Sequence, residues 1–333
     1  MSGRPFRVLV IGPSQPDPRN QLHTALIEAG CDLVFGAPKT AMEIAALGKA
    51  ADVVVAGASL TAETIDELDQ CKLIVRTGIG YDTIDVAAAT QRGILVVNVP
   101  DSWTEEVANH TMALLLACHR RLLTLHMATK AGQWGQGGGS RVPTDIHRLS
   151  HQTLGLLGFG NIARIVARRA ASFDLQIIAS DPFVPEATIK EHGVAAVDLE
   201  QLWRRSDYLS IHTPLNDSTR HLIGAEQLGR MKKTAFLINT ARGGVIDEAA
   251  LATAVRNGSI AGAALDVVEH EPIRPDHPFL ALDSVLLTPH AAYYSREAVE
   301  WCQAQAAREI LAVRNGQSPR RVAVVNKELL GGA

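Results

Sequence analysis

The sequence predicts an α/β protein with two doubly wound parallel sheets, and three observations lead to this fold class. Short apolar segments alternate with helical segments along the whole chain. Most of these segments are continuously apolar, which is typical of parallel strands buried on both faces. A glycine-rich turn of the kind that opens a large α/β domain begins only at residue 158, so the strands before it are expected to form a smaller domain.

The predicted strands and helices follow each other in regular order. The strand candidates are Val8–Ile11, Val53–Ala56, Leu73–Val75, Ile94–Val97, Leu154–Leu157, Gln176–Ala179, Tyr208–Ile211, Ala235–Ile238, Gly262–Leu265 and Val285–Leu287. Helical segments between them include Asn20–Ala29, Thr64–Asp69 and Glu248–Asn257. A long helix is predicted from residue 104 to about residue 128, and its segment Met112–Cys118 is apolar on every side. Because a helix that is apolar all round is buried, this one is expected to pack inside its domain and partly against a second subunit.

The most informative segment is the glycine-rich turn at 158–163. The apolar strand Leu154–Leu157 leads into it, a helix follows, and a second apolar strand ends at Asp181. Gly158 permits a tight turn, Gly160 lets a phosphate approach the backbone, and Ala163 lets the helix pack on the strand. Free N–H groups at the helix N-terminus suit a pyrophosphate, and the acid suits ribose hydroxyls. A dinucleotide site is therefore predicted at Gly158, Gly160, Asn161, Ile162 and Asp181.

The composition limits the classes of function. The chain has 333 residues, of which 47% are hydrophobic and 20% charged, as in ordinary globular proteins of two domains. The net charge of −3 provides no basic field for nucleic acid, and the longest apolar run is too short for a bilayer. The four cysteines lack metal-binding spacing, which favours reduced thiols in a cytoplasmic protein. No signal peptide and no metal site are predicted, and residues 133–140 are expected to form a surface loop.

Three polar residues follow three different strands in the second half of the chain. Arg242, Glu271 and His290 each come shortly after a predicted strand. In doubly wound sheets, ligands bind at the carboxyl ends of the strands, so these side chains are expected along one edge of the sheet. Each has an ordinary structural explanation when taken alone. Together, beside a dinucleotide site, they form a coherent apparatus for reducing a carbonyl group.

These motifs resemble the D-isomer-specific 2-hydroxyacid dehydrogenase family over nearly the whole chain. The resemblance is carried by Arg76–Asp82, Asn98–Pro100, the turn at Gly158, Asn239–Asp247, Asp266–Pro272 and Pro289-His290. It implies two Rossmann-like or flavodoxin-like domains with the active site in the cleft between them. The substrate domain would comprise residues 1–101 plus 292–333, and the NAD-binding domain residues 102–291. The resemblance also implies a homodimer formed through the NAD-binding domain.

The resemblance assigns the reaction to three residues. His290 is expected to be the acid/base, Glu271 its partner, and Arg242 the group that binds the substrate carboxylate and polarises the carbonyl. The chemistry agrees, because a protonated imidazole can deliver a proton to an oxygen that gains charge, and a guanidinium offers a bidentate fork. Further residues implied are Arg76, Gly78, Ile79 and Tyr293 for the substrate, and Thr213, Pro214, Thr240, Ala241, Asp266 and His290 for the cofactor. Of these, Asp266 is expected to hold the nicotinamide amide.

The predicted cofactor is NAD rather than NADP. Asp181 would repel a 2′-phosphate, and Pro182 follows it in place of a compensating arginine. The predicted activity is the NAD-dependent interconversion of a small 2-oxo acid and its D-2-hydroxy acid, with no nucleic-acid or membrane partner.

Two alternatives remain open in the sequence. The first is phosphoglycerate dehydrogenase, but Gly57–Thr61 has no arginine where those enzymes carry one for the substrate phosphate. The second is an NAD(H)-sensing binding protein, because Tyr293 resembles an aromatic position of the C-terminal binding proteins, which are corepressors of the same fold. The three predicted catalytic residues are all of reactive types, which favours an enzyme, with glyoxylate and hydroxypyruvate among the candidate substrates.

Overall fold

The computed structural model of the chain describes residues 4–12, 14–38, 40–134 and 146–330. Residues 135–140 of the predicted loop therefore lie outside the described residues. The chain forms two compact units. Unit 1 comprises Met1–Trp103 and Tyr294–Ala333, and unit 2 comprises Thr104–Tyr293.

Unit 1 contains a five-stranded parallel sheet. Its elements are β1 (Arg7–Ile11), α1 (Gln21–Glu28), β2 (Asp32–Gly36), α2 (Ala41–Gly48), β3 (Val53–Val55), α3 (Ala62–Asp66), β4 (Leu73–Val75), α4 (Val86–Gln91), β5 (Leu95–Val97) and α12 (Arg296–Arg314). The strand order is β2-β1-β3-β4-β5. Val8 and Val10 pack with residues of α1 and α12, whereas Leu9 and Ile11 pack with residues of α2 and α3. Both faces of β1 are buried, which accounts for its continuously apolar sequence.

Unit 2 contains a seven-stranded parallel sheet. Its elements are α5 (Thr104–His119), α6 (Leu122–Lys130), β6 (Thr153–Leu157), α7 (Asn161–Ala171), β7 (Gln176–Ser180), α8 (Glu186–Glu191), β8 (Ala195–Ala196), α9 (Leu199–Arg205), β9 (Tyr208–Ile211), α10 (Ala225–Arg230), β10 (Phe236–Asn239), α11 (Glu248–Arg256), β11 (Gly262–Leu265) and β12 (Val285–Leu287). The strand order is β12-β11-β10-β9-β6-β7-β8. One apolar core joins the sheet to α5 and α7, and another joins it to α9, α10 and α11. The order reverses between β6 and β9, and such switch points are where ligands bind.

The predicted fold class, two parallel α/β sheets, is confirmed. Within unit 2, α7 shows how the sequence produces this packing. Its buried residues Ala163, Val166, Ala167 and Ala170 recur at the spacing of one helix face. Small side chains on that face let the helix lie close to the sheet.

Two strands were not predicted. β2 begins with Asp32, which pairs with Arg7 at 2.7 Å, and it ends at Gly36, so only three apolar residues signal a strand. β8 consists of two alanines, which carry almost no strand signal. Each pairs with a strand that was predicted, β1 or β7, whose backbone supplies its hydrogen bonds.

The single helix predicted for residues 104–128 is wrong. α5 ends at His119 and α6 begins at Leu122. Arg121 between them has a positive φ of 50°, which a continuous right-handed helix excludes. α5 buries the predicted apolar segment in its own unit, with Met112 and Leu115 in the core. α6 buries none of its residues.

Two further kinds of feature, a membrane-spanning helix and a metal-binding cluster, are absent from the described residues. No helix there is long and apolar enough to cross a membrane. No group of three or more histidines, cysteines, aspartates or glutamates in the same part of the chain is placed to hold a metal ion.

Candidate active site

Three loops at the carboxyl edge of the unit 2 sheet carry the predicted catalytic residues. Arg242 follows β10, Glu271 follows β11, and His290 follows β12. Because β10, β11 and β12 are neighbours that run parallel, the loops after them lie side by side.

His290 and Glu271 form a close pair. Nδ1 of His290 lies 2.6 Å from Oε2 of Glu271. Burial by itself raises the pKa of the Glu271 carboxyl, but the hydrogen bond and charge of His290, the N–H of Val268 and the charge of Arg242 outweigh it and lower this pKa overall. Since an ionised carboxylate can only accept, His290 donates through Nδ1. Its Nε2 is then the nitrogen available to a substrate.

Arg242 is held by the turn that follows β10. Asn239 braces this turn at both ends, because its side-chain nitrogen donates to the carbonyl of Arg242 at 2.8 Å and its oxygen accepts the N–H of Ala241 at 2.9 Å. The guanidinium of Arg242 donates to the carbonyl of Ala241 at 2.8 Å. The side chain is only half-buried, and its charge acts on Glu271.

Gly243 brings the Arg242 loop into backbone contact with the Glu271 loop. A Cβ atom at this position would lie 2.0 Å from the carbonyl carbon of Val268 and 2.2 Å from the nitrogen of Glu269. Only glycine permits this approach. The sequence does not predict this contact, because the two glycines after Arg242 are also typical of an ordinary turn.

A network of ion pairs anchors the loop that carries Glu271. Glu248 on α11 accepts the N–H of Glu269 at 2.8 Å, and its other carboxylate oxygen lies 3.0 Å from Nε2 of His277. The carboxylate of Glu269 lies 2.9 Å from Nε2 of His221 and 3.2 Å from Arg220. Sequence reasoning missed these residues, since histidines and acids at loop positions usually indicate only a solvated surface.

Asp266 lies beneath the turn that contains His290. Its side chain is almost completely buried, at 1% exposure. Its carboxylate accepts the N–H groups of Ala291 and Ala292, both at 2.9 Å, and the hydroxyl of Thr288 at 2.5 Å. Its backbone carbonyl accepts the N–H of His290 at 2.8 Å. The residue predicted to hold the nicotinamide amide is thus also the anchor of the His290 turn.

The glycine turn has the shape that a dinucleotide requires. Gly158 has a positive φ of 91°, and a Cβ there would lie 2.8 Å from the carbonyl oxygen of His212. Gly160 is the N-cap of α7, and a Cβ there would meet no atom within 4 Å. Asn161 is exposed and Ile162 half-buried in the first turn of α7. Open space above an N-terminus with no side-chain cap fits a pyrophosphate.

The remaining predicted cofactor residues lie along the same edge. Asp181 accepts the N–H of Phe159 at 2.7 Å and that of Phe183 at 2.8 Å, one on each oxygen, so each oxygen keeps a lone pair for a ribose hydroxyl. Thr213 is half-buried and Pro214 exposed after β9, whereas Thr240 is buried and Ala241 half-buried after β10. The hydroxyl of Thr240 is 2.8 Å from that of Thr111.

The predicted substrate residues of unit 1 lie after β4. The guanidinium of Arg76 donates to the carbonyls of Gly80, at 3.2 Å, and Ala56, at 3.1 Å, so it shapes the turn. The N–H of Gly78 donates to the carbonyl of Arg76 at 2.9 Å. Among the described residues, no hydrogen-bond acceptor is found for the N–H of Ile79. In unit 2, the ring of Tyr293 lies edge-on to that of His290, with centroids 6.4 Å apart.

A switch-point glycine turn, an acid at the next strand end and a histidine–carboxylate pair beside an arginine define an NAD-dependent dehydrogenase. The comparison with known families agrees. Residues 112–292 match the family described as "D-isomer specific 2-hydroxyacid dehydrogenase, NAD binding domain", and the chain belongs to this family. The predicted enzyme class and a nicotinamide cofactor of the NAD type are confirmed, whereas the preference for NAD over NADP stays a prediction.

Individual relatives differ in the activity for which they are named. The D-3-phosphoglycerate dehydrogenase of Methanocaldococcus jannaschii is 38% identical over 309 residues, which cover 92% of this chain and 58% of that protein. The chain thus spans little more than half of that relative's length. The glyoxylate reductase of Korarchaeum cryptofilum is 41% identical over 81% of each chain. The D-lactate dehydrogenase of Aquifex aeolicus, solved with NAD and lactic acid, has a TM-score of 0.85 at 29% identity and covers 98% of this chain and 100% of its own.

Proposed function

We propose that the chain reduces a small 2-oxo acid to the D-2-hydroxy acid with NADH, and catalyses the reverse reaction with NAD. The observation that supports this most strongly is the 2.6 Å pair of His290 and Glu271 on loops adjacent to that of Arg242. The relatives named as glyoxylate reductase and D-lactate dehydrogenase support a small, unphosphorylated acid.

Each of the three residues has a separate task in this proposal. Arg242 binds the substrate carboxylate and stabilises the negative charge that develops on the carbonyl oxygen. His290 delivers the proton to that oxygen from Nε2. Glu271 accepts the hydrogen bond from Nδ1 and so keeps Nε2 as the nitrogen that serves the substrate. Bound NADH supplies the hydride.

The cofactor is proposed to bind along the switch-point edge of unit 2. The N–H groups at Asn161 and Ile162 hold the pyrophosphate, and Asp181 holds the adenosine ribose. The other proposed contacts are Gly158, Gly160, Thr213, Pro214, Thr240, Ala241, Asp266 and His290. The open space at Gly160 and the lone pairs left on Asp181 support this placement.

We propose that Gly78 and Ile79 help to bind the substrate carboxylate, with Arg76 shaping their turn. Ile79 is half-buried and its N–H has no acceptor among the described residues, which supports this, because such an amide can donate to a carboxylate. Tyr293, edge-on to His290, is proposed to limit the substrate side chain. The domain division expected from the sequence, with substrate binding in residues 1–101 plus 292–333, is part of this proposal.

The test is NADH oxidation with glyoxylate, hydroxypyruvate, pyruvate, phenylpyruvate and phosphohydroxypyruvate. For the best substrate, His290→Ala should lower kcat by about 10²–10⁴-fold, the usual contribution of a general acid, while NADH still binds. His270→Ala is the matched control, since His270 is exposed and adjacent to Glu271 in sequence. A His290→Ala variant as active as wild type would refute the assignment.

The same assay separates the two alternatives. Turnover of phosphohydroxypyruvate above all other acids would favour a phosphoglycerate dehydrogenase. Tight NADH binding without turnover of any acid would favour the NAD(H)-sensing protein, for which the edge-on aromatic Tyr293 is the supporting feature.

We also propose a cytoplasmic homodimer formed through unit 2. The four cysteines, all within the described ranges, are free thiols, which supports a reducing compartment. On α6, Leu122, Leu123 and Met127 are 61%, 48% and 59% exposed, and such an apolar face usually marks an interface. Leu123→Glu should therefore produce monomers in sedimentation velocity, whereas Leu280→Glu, at an equally exposed leucine elsewhere in unit 2, should not.

A further inference from the structure

A second histidine reaches the His290 turn through two intermediate side chains. Nε2 of His110, on α5, lies 2.9 Å from Oγ1 of Thr288. Oγ1 of Thr288 lies 2.5 Å from Oδ1 of Asp266, and Nε2 of His110 is itself 3.5 Å from that oxygen. These three side chains form a continuous hydrogen-bonded chain within unit 2.

The chemistry of the three groups sets the direction of the hydrogen bonds. The Asp266 carboxylate also accepts two backbone N–H groups, so it acts only as an acceptor. The single proton of the Thr288 hydroxyl must therefore go to Asp266. The Thr288 oxygen then accepts, and His110 must donate from Nε2. The Asp266 carboxylate thereby determines, through Thr288, that Nε2 of His110 carries a proton.

The same carboxylate maintains an unusual backbone conformation at His290. His290 has a positive φ of 50°, which residues other than glycine rarely adopt and which surrounding contacts must enforce. The two residues after it, Ala291 and Ala292, both donate their N–H groups to Asp266. The side chain that pairs with Glu271 is therefore aimed by a turn whose geometry depends on Asp266.

We propose that His110 and Thr288 are positioning residues for His290. They orient the buried Asp266 carboxylate so that it holds the His290 turn in its left-handed conformation. Neither residue exchanges a proton with the substrate. This inference rests on the proposed role of His290 as proton donor.

Thr288 offers a sharp test because two substitutions separate its hydroxyl from its volume. Thr288→Val removes the hydroxyl and keeps the shape, whereas Thr288→Ser keeps the hydroxyl. Thr288→Val should lower kcat by on the order of 10–100-fold, because small displacements of a catalytic group cost about this much. The solvent deuterium isotope effect on kcat should rise, since proton delivery becomes slower. Thr288→Ser should restore both values.

His110 provides an independent pair of variants. His110→Leu removes the donor to Thr288, and His110→Gln retains an N–H donor. We expect the leucine variant to follow Thr288→Val in kcat and isotope effect, with a smaller loss, and the glutamine variant to stay near wild type. If Thr288→Val fails to fold, as judged from its thermal midpoint, the His110 pair decides the question.

A measurement without turnover keeps this inference separate from the proposed function. Hydrogen exchange of the peptide at residues 288–294 reports whether the amides of Ala291 and Ala292 are held by Asp266. Exchange should be faster in Thr288→Val and His110→Leu than in wild type, Thr288→Ser and His110→Gln. If wild type reduces no acid, the proposed function fails, and the exchange result still decides the anchoring.

Three results would overturn the inference. Unchanged kcat and unchanged exchange in both Thr288→Val and His110→Leu would remove the positioning role. Equal losses in Thr288→Val and Thr288→Ser would assign the effect to packing rather than to the hydroxyl. A loss of NADH affinity that matches the loss of kcat, with hydrogen exchange of residues 288–294 unchanged, would show that the variants act through the proposed cofactor contact of Asp266 and not through the His290 turn.

Discussion

The first strand of unit 1, β1, and the first strand of unit 2, β6, are both buried and both followed by a glycine, but only β6 leads directly into a helix. After β6, Gly158 turns the chain, Gly160 caps α7, and the helix begins at once. After β1, Gly12 turns the chain with a φ of 129°, and α1 begins only at residue 21. Of these two turns, only the one after β6 leads at once into a helix N-terminus, which is the kind of place where a phosphate binds.

The neighbouring strand shows the same contrast. β7 is followed by Asp181, whose carboxylate accepts two turn amides, whereas β2 ends at Gly36 and is followed by Ala37. The two parallel sheets therefore differ in the residues that follow corresponding strands. The fold places the carboxyl ends of the strands along one edge of the sheet, and the residues in the turns after the strands decide which ligand can bind there.

Replacing Gly158 in unit 2 and Gly12 in unit 1 by alanine, one at a time, should give the largest difference between the units in stability and in NADH binding. Gly158→Ala meets both backbone strain and a clash with the carbonyl of His212, so it should cost about 2–6 kcal/mol of stability, from about 1–3 kcal/mol for each term, and abolish NADH binding. Gly12→Ala, which meets no atom within 4 Å, should cost only the strain of about 1–3 kcal/mol. For each variant, urea unfolding measures the stability and fluorescence titration measures the binding of NADH. Equal losses of NADH binding would contradict the contrast.

Replacing Asp181, the acid that follows β7, should reduce the preference for NADH over NADPH. Asp181→Ser removes the negative charge that repels the 2′-phosphate of NADPH. It also removes a charged acceptor for the ribose of NADH, and a hydrogen bond to such an acceptor contributes about 1.5–3 kcal/mol. The ratio of kcat/KM for NADH to that for NADPH should therefore fall by roughly 10–100-fold. Asp32→Ser, at an acid of β2 in unit 1, serves as the control and should leave the ratio unchanged. A ratio unaffected by Asp181→Ser would remove Asp181 from cofactor selection.

The smallest of the three expected differences concerns one histidine in each unit, His212 and His23. Each should make the free energy of unfolding depend on pH. Burial lowers the pKa of His212, after β9, to about 4. The unfolded chain, with a histidine pKa near 6.5, binds a proton between about pH 6.5 and pH 4 that the folded chain does not. The free energy of unfolding should therefore fall as the pH decreases through this range and level off below it.

His212→Asn should flatten this dependence in urea unfolding at pH 7 and pH 4.5. Burial also lowers the pKa of His23 in unit 1, but the nearby charge of Asp17 opposes it, so His23→Asn should flatten the curve less. A larger effect from His23 would reverse the expected order of the two units.

Much of unit 2 could be predicted because its signals are local. The strand before Gly158, the acid at 181 and the polar residues after β10, β11 and β12 are read directly along the chain. The prediction failed where the signal was not local. β2 depends on pairing with β1, and the break between α5 and α6 depends on the left-handed conformation of Arg121, which no glycine announces.

The sequence by itself determined most of the strands and helices, the glycine turn and the identity of the catalytic candidates, because these follow from residue type and spacing. Only the tertiary structure decided which groups act on one another. It brought Gly243 against Val268, joined Glu248 to the Glu271 loop, and linked His110 through Thr288 to Asp266. These partners are far apart in sequence and meet only because neighbouring parallel strands end at one edge of a sheet that α5 covers, a relation that spacing along the chain does not encode.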